Sequence, residues 1–241
     1  MKNKAYRDLK VPMIALTLAA VFMLAALPFL TSGCFRGSAQ DGGAGADVSE
    51  KAASNVLPEV EASEFEGTKL VPIRDQGNNA ILGTRHIDRK NYKLNVTGLV
   101  NKDLAMSYDE LLSLPAVSEA VYMPCVEGWG FMAKWTGFKV TDVLDKAGLL
   151  PEASFILFWS DDGYSTGLPL SYIRDNGIIM AYGLNDMTLP DDRGFPFQLV
   201  ARSKYGYKWA KWITKIEALD HEVLGYWEQR GYSDAADVKN K

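Results

Sequence analysis

Apolar and polar positions begin to alternate at Tyr92. Tyr92, Leu94 and Val96 face one way and Lys93, Asn95 and Thr97 the other before Gly98, a pattern that predicts a half-buried strand. Ser107-Tyr108-Asp109-Glu110 reads as a capping box opening a short helix through Leu111 and Leu112, which Pro115 stops. Val117 to Met123 predicts an extended lead into Cys125. The period then becomes helical: Val140, Val143, Leu144 and Ala147 share one face, and Gly148 fits a C-terminal cap. Phe155-Ile156-Leu157-Phe158-Trp159 predicts a buried strand followed by a turn at Asp161-Asp162-Gly163. Ile178 to Tyr182 predicts another strand with Asn185-Asp186 as its turn, and Phe197, Leu199 and Ala201 alternate once more. There is no internal repeat. Short strands interleaved with short helices, without a regular βαβ rhythm, predict an α+β domain rather than a doubly wound sheet.

The pattern differs ahead of this domain. Lys2, Lys4, Arg7 and Lys10 precede a run from Val11 to Phe35 that carries no charge, the signature of an export signal or membrane anchor. The basic flank stays cytoplasmic, so the body is expected on the outer face of the cytoplasmic membrane, in a periplasmic or other extracytoplasmic space. Leu30-Thr31-Ser32-Gly33-Cys34 looks like a bacterial lipoprotein cleavage site, with Thr31 where a leucine usually stands. An uncleaved helix and a lipid on Cys34 both remain open as the tether. From Arg36 the chain is rich in Gly, Ala, Ser and acids and reads as a flexible spacer. The expected division is an anchor over 1–35, a spacer over 36–67, a folded domain over 68–235 and a tail over 236–241.

Composition adds bounds. The chain has 241 residues, 47% hydrophobic, with a net charge of -4, which suits one globular domain with appendages and argues against a nucleic-acid binder. It has two cysteines. With Cys34 in the anchor, Cys125 has no obvious disulfide partner in an oxidising compartment, which flags reactivity or metal ligation. Cys125 sits in Tyr122-Met123-Pro124-Cys125-Val126-Glu127-Gly128-Trp129-Gly130, where glycines allow close backbone approach and indoles give flat walls. A buried structural thiol and a soft-metal or nucleophilic thiolate are both compatible with that spacing. Arg193, Arg202, Lys204, Lys208, Lys211 and Lys215 form a basic segment without an acid up to Ile216. Within it, Lys204-Tyr205-Gly206-Tyr207-Lys208 predicts an anion cradle of backbone N–H groups and the Lys208 ammonium, with Lys211 and Lys215 on a solvated basic face.

Cys-Val-Glu-Gly-Trp and Trp-Thr-Gly-Phe, followed by Ala181-Tyr182, Leu189-Pro190, Gly194-Phe195-Pro196 and Lys204-Tyr205-Gly206-Tyr207-Lys208-Trp209, resemble one family. It is the molybdopterin-binding domain shared by sulfite oxidases and the catalytic subunit of bacterial protein-methionine-sulfoxide reductase, and the resemblance runs from about Asn78 to Tyr232. It implies a sulfite-oxidase-type fold of mixed sheets with short peripheral helices, a Mo-molybdopterin cofactor, and Cys125 as the metal's protein ligand. Two pterin sulfurs and a thiolate would tune the metal's two-electron couple. The resemblance further implies Gly206, Tyr207 and Lys208 as the clamp on the pterin phosphate. Ser160 falls at a cofactor-contacting hydroxyl, Arg193 at an Asn or His position, and Asn78 at the start of the entry segment. Arg85-His86 matches an Arg/His pair of the sulfite oxidases, and Tyr182 their active-site tyrosine. For His86 a surface imidazole is an equal reading, and His221 reads as structural. Gln198 stands where the family usually carries arginine, keeping a hydrogen bond but losing a fixed charge that Arg202 could replace. The N-terminus also lacks the paired arginines usual for proteins exported with this cofactor.

The implied function is a membrane-tethered molybdenum oxidoreductase moving one oxygen atom to or from a small substrate, a sulfite-like anion or a sulfoxide. Neither a haem-attachment motif nor a dinucleotide fingerprint is present, so electrons would pass to or from a separate partner, a cytochrome or a membrane haem or quinone protein. Two other classes stay open: a tethered anion-binding module that kept the fold without the metal, and a hydrolase pairing Cys125 with His86.

Overall fold

The computed structural model describes residues 55–238. The expected anchor, Cys34 and the first part of the spacer lie outside the described residues. A short hairpin of β1 (Glu64–Phe65) and β2 (Thr68–Lys69) leads to β3 (Lys93–Gly98), β4 (Leu104–Ser107) and helix α1 (Tyr108–Leu112). Next come β5 (Val117–Pro124), β6 (Gly130–Lys139), α2 (Val140–Ala147), β7 (Phe155–Ser160), β8 (Ser165–Pro169) and α3 (Leu170–Asn176). The chain closes with β9 (Ile179–Leu184), β10 (Met187–Thr188), β11 (Gln198–Val200) and β12 (Ile213–Leu219).

These strands form two five-stranded sheets. One is antiparallel, in the order β10-β9-β6-β5, with β11 also on β9. The other runs β4-β3-β12-β7-β8 and is mixed, because β12 lies parallel to β3. The expected α+β class with mixed sheets and short helices is what the chain forms.

Local chemistry explains most of the elements. Ser107 and Glu110 complete the capping box in both directions: Ser107 Oγ accepts from the Glu110 amide at 3.3 Å, and the Glu110 carboxylate accepts from the Ser107 amide at 2.7 Å. Helix α2 buries Val140, Val143, Leu144 and Ala147 and stops at Gly148, whose φ of 70° is left-handed. Burying a valine or leucine side chain of this kind contributes roughly 1.5–3 kcal/mol. Strand β7 lies between β12 and β8, which is why five consecutive apolar residues suit it. Asn185 and Asp186, at φ 48° and 65°, make the tight turn between β9 and β10.

Two departures affect the surroundings of the site. Residues 55–67, expected within the spacer, are docked on the domain. Asn55 Nδ2 donates to the carbonyls of Leu112 and Leu114, Leu57 packs against the core, and Glu59 accepts from the Thr188 amide at 3.0 Å. Polar anchors rather than a hydrophobic stripe hold this segment, so it shows no periodicity. At the other end, Asp237 pairs with Lys204 at 2.5 Å, so residues expected in a tail belong to the fold.

Candidate active site

The β5–β6 pairing ends at Pro124 opposite Gly130. The chain turns there, with the Cys125 amide donating to the Trp129 carbonyl at 2.7 Å and the Gly128 amide to the Cys125 carbonyl at 3.2 Å. This turn presents a half-buried Cys125 on the wall of a cavity of about 360 Å³. Burial pushes the Cys125 thiol up, opposed in part by the Glu127 and Val126 amides. Trp129, stacked at 6.4 Å on Phe131, forms the adjoining wall.

The 3-10 turn Gly206–Lys208 abuts this cysteine. A side-chain carbon at Gly206 would lie 3.1 Å from Met123 Sδ, 3.3 Å from the Pro124 oxygen and 3.9 Å from Cys125 Cα. Glycine is therefore what lets the basic segment approach the end of β5, next to Cys125 in the chain. The expected juxtaposition of Cys125 with Gly206 and Tyr207 is present, since all three border the cavity together with Asn78, Arg193 and Gln198.

The cations are deployed differently from the sequence-based expectation. Lys208, expected on a phosphate, is 1% exposed, and its ammonium is held by Glu228 at 2.6 Å, Asp234 at 3.1 Å and the Gly167 carbonyl at 3.0 Å. Glu228 lies far beyond Lys208 along the chain, so no local pattern signals that pairing. Arg202 bonds Glu119 and Lys215 bonds Glu217, so neither is free to replace the charge lost at Gln198. Arg193 donates to the carbonyls of Ile73, Gln76 and Gly77 at 2.9–3.0 Å, with Asp192 also near its Nε. It thereby staples the entry segment to the domain. Among the described residues, Lys211 is the one cation of the basic segment without a carboxylate partner within salt-bridge distance. Expected on a solvated face, it borders the cavity instead, donating to Asn78 Oδ1 at 2.7 Å and the Asp192 carbonyl at 3.1 Å. Burial, with Arg193 nearby, lowers its pKa to about 8.

The remaining expected residues lie outside the cavity lining. Arg85 pairs with Asp161 at 2.7 Å and His86 with Asp191 at 2.6 Å, all of them substantially exposed. Ser160 and Tyr182 are buried, and each keeps a hydroxyl with no hydrogen-bond partner. Burial raises Tyr182 to about 12, so it is a neutral hydroxyl at physiological pH. Ser160 heads the turn that brings Asp162 and Tyr164 to the cavity wall. His221 rests on Asp220 at the surface. Neither His86 nor His221 borders the cavity that holds Cys125, so a Cys-His pair has no geometric support.

This arrangement fits molybdopterin. Among the described residues there is no group of three His, Cys, Asp or Glu side chains that could hold a metal, so a metal at Cys125 would need donors brought by its own carrier. A dithiolene is such a carrier. An anionic carrier would also find the Lys211 ammonium beside the entry segment and the Gly206 turn on the same cavity as Cys125. Comparison with known proteins agrees. Residues 81–227 match the model of the oxidoreductase molybdopterin binding domain. The uncharacterized oxidoreductase YuiH of Bacillus subtilis (strain 168) is 30% identical over 146 residues, covering 60% of this chain and 74% of YuiH. The protein-methionine-sulfoxide reductase catalytic subunit MsrP of Gluconobacter oxydans (strain 621H) is 32% identical over 156 residues, covering 57% of this chain and 50% of that subunit. Among solved structures, the sulfane dehydrogenase SoxCD from Paracoccus pantotrophus shares the fold at a TM-score of 0.56 and 21% identity, over 58% of this chain and 41% of that one. The match runs through Cys125, Gly206 and Lys211, which line one cavity, and over more than half of the chain it makes this protein a member of the oxidoreductase molybdopterin binding domain family.

Proposed function

We propose that this oxidoreductase moves one oxygen atom between water and the sulfur of a small substrate, a sulfite-like anion or a sulfoxide. The observation that carries the reading is the half-buried Cys125 on the wall of a cavity that Gly206 and Lys211 also line. When bound, the cofactor supplies the two-electron couple and the oxygen-exchange chemistry. The chain's residues do the rest. Cys125 is the protein's thiolate donor, and metal binding would remove its proton despite the upward push of burial. Lys211 and the Gly206–Lys208 backbone hold the anionic end of the pterin. Arg193 fixes Ile73 to Gly77, so that Asn78 stays beside Lys211. Trp129, Phe131 and Trp135 exclude water on the thiol side.

The electron balance is simple in either direction. Sulfite and water give sulfate, two protons and two electrons; a sulfoxide takes two protons and two electrons to give a sulfide and water. A separate one-electron redox protein exchanges those electrons in two steps. Among the described residues no helix is long and apolar enough to cross a membrane. The basic residues before the uncharged Val11–Phe35 run support an N-terminal tether holding the domain on the outer face of the cytoplasmic membrane.

The test is molybdenum analysis with Mo(V) EPR on protein purified from its native membrane. Wild type should carry stoichiometric molybdenum and give the signal on partial reduction. Cys125→Ser should fold and lose both the signal and oxygen transfer. Metal-free wild type would favour the anion-binding module, for which Gln198 in place of arginine is the supporting feature.

A further inference from the structure

The entry segment is held on the domain by side chains. Among the described residues, no backbone–backbone hydrogen bond reaches any position from Gly77 to Ile87. At one end Arg193 donates to the Gly77 carbonyl at 2.9 Å. At the other, Arg85 pairs with Asp161 and His86 with Asp191. Between these ends Asn78 to Thr84 is exposed except at Ile81, and Leu82 is 70% exposed. Yet Gly77 to Ile81 form part of the wall of the Cys125 cavity. Stretches with few backbone hydrogen bonds and few buried contacts are the ones that open locally, and lids over binding sites are drawn from them.

Two contacts join this stretch to the Cys125 turn. The Trp129 indole packs directly on the Gly77 backbone: a side-chain carbon there would fall 2.3–2.7 Å from three of its ring atoms, so only glycine admits the ring. Trp129 Nε1 donates to the Glu127 carboxylate at 2.9 Å, and the Asn79 side chain first, then this indole, hold Glu127 below the usual carboxylate range. The Trp129 carbonyl accepts from the Cys125 amide, so the residue on which the stretch rests also shapes the turn that carries the thiol. A third contact bears on anion binding. Asn78 Oδ1 and the Asp192 carbonyl take two of the three protons of the Lys211 ammonium. An arriving anion therefore meets a lysine that is largely occupied until Asn78 moves away. From these contacts we infer that Asn78 to Thr84 is a gate through which the cofactor enters and leaves, latched by Trp129 on Gly77 and by Glu127 on Asn79. The inference rests on the molybdopterin reading above and adds a kinetic control to it. The Arg193 staple at Gly77 is the fixed end of the gate. The exposed ion pairs at Arg85 and His86, of a kind that contributes little to stability, are the end that yields.

The test uses the full chain, prepared with and without cofactor, and follows two rates by pterin fluorescence and molybdenum content. Loading is timed on cofactor-free protein given Mo-molybdopterin. Release is timed on loaded protein given an excess of cofactor-free wild type as acceptor. A gate limits passage in both directions, so a weaker latch should speed both. Asn79→Ala, at an exposed position that should leave the fold intact, and Gly77→Ala, which pushes the indole away, should each raise loading and release severalfold together. Occupancy at equilibrium and the thermal midpoint should stay close to wild type. Loading at or below the wild-type rate in Asn79→Ala overturns the gate, and faster release alone would mark these residues as cofactor contacts. A wild type that takes up no molybdopterin looks different: it defeats the molybdopterin reading itself, and the gate with it.

Discussion

Lys208 and Lys211 stand close together in one basic segment, and their surroundings give them opposite duties. The Lys208 ammonium is enclosed by Glu228, Asp234 and the Gly167 carbonyl. The Lys211 ammonium reaches the cavity, and burial first, then Arg193, lowers its pKa to about 8. A cofactor anion favours the charged lysine, so above about pH 8 binding must take up a proton, and affinity falls as pH rises through that value. Loss of the Cys125 proton on metal binding acts in the opposite direction, so the Lys211 contribution is the difference between wild type and a variant without the ammonium. Lys211→Met should therefore weaken cofactor retention near neutral pH and remove the part of its fall above about pH 8 that the lysine causes. Molybdenum retained after dialysis at about pH 7 and about pH 9, on either side of that pKa, checks this in wild type and variant. A Lys211→Met variant whose retention matches wild type at both pH values would remove Lys211 from the anion site.

At the scale of elements, what can be read along the chain is what is decided locally. The capping box is one case. Ser107→Ala loses the side-chain acceptor for the Glu110 amide, and it should cost about 1 kcal/mol in urea unfolding with no change in molybdenum content. Helix α2, strand β7 and the Asn185-Asp186 turn were legible for the same reason: each is set by period, by run length or by turn residues close together in the chain. The ten-residue β6 was not legible, because Gly130, Lys134 and Gly137 interrupt its apolar pattern. Its place comes from pairing with β5 on one side and β9 on the other. Strand β12 was hidden likewise by Lys215 and Glu217, which pair across its exposed face. The site shows the same division. Cys125 and Gly206 were legible from composition and motif, whereas the inward turn of Lys211 depends on tertiary neighbours. The contact between the two legible parts gives another prediction. In Gly206→Ala, the added carbon would press on Met123 Sδ and the Pro124 oxygen, at the end of β5 that aims Cys125. Molybdenum occupancy should drop severalfold while the thermal midpoint changes little. A fully loaded variant would show that the turn and the thiol are not geometrically coupled.

For the molecule as a whole, the Lys208–Glu228 pair is where the second sheet, the basic turn and the segment after β12 meet. Glu228 accepts from Thr166 on β8 and from Lys208 on the turn, and its own backbone belongs to that segment. The two side chains are 1% and 0% exposed, so removing Lys208 strands the Glu228 carboxylate where water cannot reach it, whereas removing Glu228 leaves Lys208 its bonds to Asp234 and the Gly167 carbonyl. Such a loss typically costs about 3–5 kcal/mol, whereas replacing both partners with apolar groups of similar size is often neutral or better. Lys208→Met should lower stability on that scale and Glu228→Leu by less, because Asp234 still holds the ammonium, and the double variant should be more stable than Lys208→Met. Guanidinium unfolding of the four proteins measures the cycle. The double variant also separates anchoring from catalysis. If Lys208 serves only to fasten the segment after β12, that protein should keep its molybdenum, because the apolar pair still holds Trp227 and Tyr232 at the cavity wall. Loss of molybdenum from a stable double variant would instead return Lys208 to the phosphate clamp that the motif suggests.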